Sequence, residues 1–124
     1  MVNVLQLRQS ETIRVDRDRL RGLYRQLGPT SAQDVLCRAI EELAVRLAHC
    51  EHLWREERWT EMRKCARSMI AISEQIGLTT LSRVAQDVTH TLDSCDLPAV
   101  GATMYRLMRI GERSLTEIWD QYDG

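Results

Sequence analysis

Residues 57–78 read ERWTEMRKCARSMIAISEQIGL, and their spacing predicts one helix closed by a glycine. Trp59, Met62, Ala66, Met69, Ser73 and Ile76 recur at steps of three and four. At about 100° per residue such positions fall on one line, the signature of a helix with a buried side. Gly77 then supplies the residue that most readily leaves a helix in a left-handed conformation. A second ridge, Arg63, Arg67, Ile70 and Glu74, runs beside the apolar line and is expected to face solvent or a partner, with Ala71 keeping that surface shallow. Lys64 flanks the same surface. Cys65, about 200° around the helix from Arg67, is expected to point toward the core.

The pattern continues on both sides. Upstream, Leu36, Ile40, Leu43, Leu47, Cys50 and Trp54 form the seam of a long helix for which Thr30 and Ser31 offer N-capping, and Glu56, Glu57 and Arg58 interrupt it. Before that, Leu20, Leu23, Tyr24 and Leu27 mark a short helix stopped by Gly28 and Pro29, with helical patterning from Val15 onward. Downstream, Leu81, Val84, Ala85, Val88, Leu92 and Cys95 share one face of a fourth helix. Asp96 is placed to cap a fifth, with Pro98 in its first turn and Val100, Met104, Leu107, Met108, Gly111, Leu115 and Ile118 on its buried side. No β pattern, repeat or low-complexity stretch is present. The expected fold is therefore all-α: an up-down antiparallel four-helix bundle preceded by a short N-terminal helix, one domain over 1–124 with residues 1–14 as a loosely ordered arm.

The segment also carries a resemblance. Trp59 lies two turns before Arg67, Ala66 immediately precedes it, and Gly77 follows it by ten residues. In this order and spacing the chain resembles the histidine-containing phosphotransfer (HPt) domain family, where an acidic residue and a Trp precede the phosphorylated His, an Ala adjoins it, and a Gly ends the helix. The resemblance extends from about Asp18 to Trp119 and includes the stretch Ser94-Cys95-Asp96-Leu97-Pro98 before the last helix. It implies a four-helix bundle and a place in two-component signalling.

The departures fall where that family's chemistry resides. Arg67 stands at the phospho-histidine position, and Ile70 and Ala71 replace the family's Lys and Gly. A guanidinium stays protonated, so it pairs with carboxylate or phosphate but does not act as the nucleophile a relay needs. The expectation is a protein that binds a receiver or histidine-kinase domain without transferring phosphate, through Arg63, Lys64, Arg67, Ile70, Ala71 and Glu74. The competing expectation is a structural helical module that self-associates or docks on an unrelated protein through apolar surface such as Ile70 or the Trp-bearing helix ends.

Composition bounds the remaining classes. The net charge is −1, which supplies no general field for nucleic acid or an anionic membrane, although sixteen of the seventeen basic residues are Arg. That bias fits protein interfaces and a GC-rich genome equally well. Met1–Gln9 lacks the basic-then-apolar order of a signal peptide and no stretch reaches a membrane span, so a cytoplasmic location is expected. Cys37, Cys50, Cys65 and Cys95 form no CxxC pair and read as reduced, small apolar residues. His49 and His52, near Cys50 and Glu56, could share a metal, but the same arrangement is common on exposed helix ends and no metal is expected there. Asp87-x-x-His90 alone falls short of the two Glu-x-x-His motifs of a di-iron bundle, and His90 is expected in solvent. With no Gly-rich phosphate loop and no nucleophile elbow, neither enzymatic activity nor a cofactor or metal is expected. Trp54, Trp59 and Trp119 are expected to seal the bundle, and the methionines to fill its core.

Overall fold

In the computed structural model, which describes residues 12–123, five helices follow one another: α1 Arg17–Leu27, α2 Pro29–Arg55, α3 Trp59–Gln75, α4 Thr79–Asp93 and α5 Leu97–Asp123. The one-residue link from α1 to α2 is Gly28, and the three-residue links after it let α3, α4 and α5 each reverse on the helix before. Helices α2 to α5 close a ring in which α2 packs on α3, α3 on α4, α4 on α5 and α5 back on α2, while α1 lies against α2. This is the four-helix bundle preceded by a short helix that the apolar spacing predicts. No helix of the described residues is long and apolar enough to cross a membrane.

The core is aliphatic and sulfur-rich. Leu43, Leu53, Met62, Met69, Leu81, Met104, Leu107, Ile110 and Ile118 are all fully buried, each contributing on the order of 1.5–3 kcal/mol of transfer free energy. Helix α2 buries Ala32, Ala39 and Leu53 beyond its predicted line because it touches three neighbours, α1, α3 and α5, and needs a wider apolar stripe. The α2–α5 contact is close: a Cβ on Gly111 would lie 2.7 Å from the Leu47 methyls.

Local chemistry sets the helix ends. Asp16 caps α1, its carboxylate accepting from the Arg19 N–H at 3.1 Å, and Asp96 caps α5 by accepting from the Ala99 N–H at 3.2 Å. Helix α2 begins at Pro29, before the Thr30–Ser31 pair expected to cap it, and no side chain caps it. Gly28 ends α1 and precedes α2 at once, and Pro29, read in the sequence as part of a stop, occupies the first turn, where its missing N–H does no harm. Cys95 falls outside α4, exposed in the turn with φ 53°, so it does not extend the Leu81–Leu92 face.

The arm expected over residues 1–14 lies largely outside the described residues, but Thr12–Asp16 are held against the α3–α4 turn. Val15 forms an antiparallel bridge with Leu78; the Asp16 N–H donates to the Gly77 carbonyl at 2.7 Å and the Arg14 N–H to Thr80 Oγ1 at 2.8 Å. Helical patterning was expected from Val15, yet here that residue is extended. Trp54 and Trp59 pack half-buried on the core, whereas Trp119 is 45% exposed and is not among the residues packed against the core.

Candidate functional site

The α3–α4 hairpin positions the ridge. Gly77 at φ +79° turns the chain in a space where a Cβ would lie 2.7 Å from the Asp16 carbonyl oxygen, so only glycine fits without displacement. Arg63 and Asp93 lie fifteen residues before and after Leu78, and Glu74 and Ser82 four residues before and after it. Residues equidistant from the turn of an antiparallel helix pair rise equally and meet. Both pairs do: Arg63 Nε and Nη2 donate to the two Asp93 carboxylate oxygens at 2.6 and 3.0 Å, and Ser82 Oγ donates to Glu74 Oε1 at 3.1 Å. Gln86 Nε2 extends the second contact by donating to Ser82 Oγ at 3.2 Å.

The same register sets Arg67 level with Thr89 and His90. Arg67 is exposed, and among the described residues it makes no hydrogen bond or ion pair. Its charge nevertheless reaches Asp93. The Asp93 carboxyl is held below its ordinary range first by the hydrogen bonds from Arg63, then by the charges of Arg63, His90 and Arg67. The Arg63 guanidinium is correspondingly pushed above its ordinary value by the hydrogen bonds and charge of Asp93.

Of the six ridge residues read in the sequence, Lys64, Arg67 and Ala71 stand exposed on α3. Arg63 and Glu74 are already engaged by α4, and Ile70 is half-buried, packed against the core instead of standing clear on the ridge. Exposed cationic surface at the centre of the helix therefore comes from Lys64 and Arg67. A guanidinium with five donors and no hydrogen-bonding partner among the described residues suits a carboxylate or phosphate presented from outside. Asp93, Ser82 and Gln86 escaped the sequence reading because helical periodicity carries no register between two helices. Folding the hairpin about Leu78 is the signal that finds them.

Two of the other candidates, His52 and Asp87, have partners. His52 Nε2 lies 2.6 Å from Glu56 Oε1 on the same helix, and His49 is exposed. Asp87 pairs with Arg106 of α5 at 2.8 Å. Among the described residues no group of three or more His, Cys, Asp or Glu side chains is arranged to hold a metal ion. Cys65 faces inward, 6% exposed, as its angle from Arg67 requires.

On the far side of the ring, α2 and α5 form a groove of about 320 Å³ lined by Glu51, Trp54, Met104, Tyr105, Met108, Arg109 and Glu112. Tyr105 at its rim is 71% exposed. Comparison with protein-family models, curated proteins and solved structures finds no match to this chain.

Proposed function

We propose that this chain is a cytoplasmic signalling module that docks a receiver domain, or the histidine-kinase domain that feeds one, through the outer face of α3 and passes on no phosphate. The reading is supported chiefly by Arg67: exposed, without a hydrogen-bonding partner among the described residues, and at the position where the HPt-like spacing of Trp59, Ala66 and Gly77 calls for the phosphorylated histidine. A receiver presents an acidic pocket at its phosphorylation site, and a permanent cation on a rigid helix complements it. Arg63 and Asp93 flank the contact as a fixed pair, so an incoming acidic pocket meets Lys64 and Arg67 without first breaking an existing bridge.

The test is an amide-shift titration of the labelled chain against receiver domains of the same organism, each unmodified and carrying a phosphate mimic. Saturable shifts centred on Lys64, Arg67 and Ala71, weakened at least tenfold by Arg67→Glu, are expected. Unchanged affinity in that variant, or no shift with any receiver, overturns the reading. A second reading, self-association, is favoured by one observation: the Trp54–Met108 groove with Tyr105 exposed at its rim lies opposite the ridge. Light scattering that reports a monomer at every accessible concentration removes it.

A further inference from the structure

Helices α2 and α3 approach closely where two cysteines meet. Cys65 Sγ on α3 reaches the Arg46 carbonyl oxygen of α2 at 3.3 Å, so one short side chain spans the gap between the helices. Cys50 lies one turn beyond Arg46, seven residues before Glu57 as Cys65 lies eight after it, so the antiparallel register sets the two buried residues level. Cys50 Sγ lies 3.9 Å from Met104 Sδ of α5.

The two sulfurs sit in different surroundings. Cys50 is fully buried, whereas Cys65 keeps 6% of its surface open. Beside Cys65 is Arg46, whose guanidinium binds Ser68 Oγ at 2.9 Å and Glu42 at 3.2 Å. Its Nε is buried with no acceptor, leaving one N–H donor for which an anionic sulfur is the natural partner. The neighbouring Cys50 thiol and the charge of Arg46 push the Cys65 thiol below its ordinary value, against burial. The contact with Cys65 and burial push Cys50 up. A thiol that keeps some exposure beside a guanidinium N–H lacking an acceptor, with a second buried thiol level with it across the helix contact, is the arrangement of an oxidisable sulfur and its resolving partner.

We propose that Cys65 and Cys50 form a peroxide-oxidisable dithiol that closes a disulfide between α2 and α3. The Cys65 thiolate attacks one oxygen of hydrogen peroxide and the O–O bond breaks. The departing hydroxide takes up the proton lost by Cys65 and leaves as water, with a sulfenic acid on Cys65. Cys50 sulfur then attacks Cys65 sulfur, the S–O bond breaks, and the hydroxyl leaves as a second water with the Cys50 proton. Two thiols and one peroxide thus give one disulfide and two waters. The inference stands on the α2–α3 contact alone and is independent of what the ridge binds.

The full chain is treated with graded hydrogen peroxide, alkylated and digested with trypsin without reductant. Arg55, Arg58, Arg63 and Lys64 lie between the two cysteines, so a disulfide joins two otherwise separate peptides. The linked Cys50–Cys65 peptide is expected in the natural chain and absent from Cys65→Ser. In a Cys37→Ser, Cys95→Ser background, free thiols fall from two to none, and in Cys50→Ser a sulfenic-acid trap labels Cys65. Oxidation confined to Cys37 and Cys95, or loss of the Cys50 and Cys65 thiols without the linked peptide, overturns the proposal. Because the decisive peptide comes from the unaltered chain, a variant that fails to fold does not weaken the test.

Discussion

On its inner side α3 presents Met62, Cys65, Ala66, Met69 and Ser73, all buried; on its outer side it presents Lys64, Arg67 and Ala71, all exposed. The inner residues are bounded by α2, α4 and the rest of the core, where a change of one methylene alters packing. The outer residues touch little of their own chain, so packing does not dictate their identity. Arg67, which has no hydrogen-bonding partner among the described residues, is where the proposed contact would act. Between the two sides run Arg63 and Glu74, polar yet fixed by α4. The helix thus carries three kinds of position, each with its own expected response to substitution.

The largest response is expected on the inner side. Met69 is fully buried, and Met69→Ala is expected to lower stability by about 2–5 kcal/mol through lost transfer energy and a cavity. Urea unfolding monitored by helical circular dichroism reads this directly. A loss under 1 kcal/mol would mean that the core closes over the gap and the contrast between faces is shallower than drawn. Next comes the end of the helix. Gly77→Ala places a Cβ 2.7 Å from the Asp16 carbonyl oxygen at φ +79°, and about 1–3 kcal/mol is the expected cost of holding a non-glycine residue there. The same unfolding experiment checks it, and loss of amide-exchange protection at Asp16 would locate the strain at that contact.

The outer side should respond to binding and hardly to folding. Arg67→Ala is expected to change stability by no more than about 0.5 kcal/mol while weakening the proposed receiver contact. A destabilisation comparable to that of Met69→Ala would make Arg67 a structural residue and remove the reason for placing a partner there.

Which positions were legible follows from what each physical rule needs. The inner line of α3 was readable because a 3.6-residue period is local: Met62, Ala66, Met69, Ser73 and Ile76 all proved buried. Gly77 was readable as a helix end for the same reason, and Asp96 as a cap. Ile110 and Ser114 were not, because the width of a buried stripe depends on how many helices surround it, and α5 faces both α4 and α2. Cys95 was misplaced because α4 ends at Asp93, two residues before the periodic line runs out. The Val15–Leu78 bridge had no sequence signal, since a single extended pair carries no alternation to detect. The partners of Arg63 and Glu74 required the register of two helices, which only the turn at Gly77 and Leu78 supplies.

The smallest expected effect tests that register. Asp93→Asn removes the carboxylate that Arg63 grips, a pair half open to water, so the loss of stability at neutral pH is modest and shrinks with added salt. Its pH dependence is the sharper measure. The Asp93 carboxyl ionises below the range it has in the unfolded chain, about 3.9 for an ordinary Asp. The fork's stabilisation is therefore complete above that value and disappears as pH falls through the lower folded value. The difference in urea midpoint between the natural chain and Asp93→Asn should stay constant from pH 7 to about 5, then vanish toward pH 2. A difference that persists unchanged at low pH would show that the carboxylate charge is not what binds the two helices at this level. Arg63 would then be free to join Lys64 and Arg67 in the outer contact.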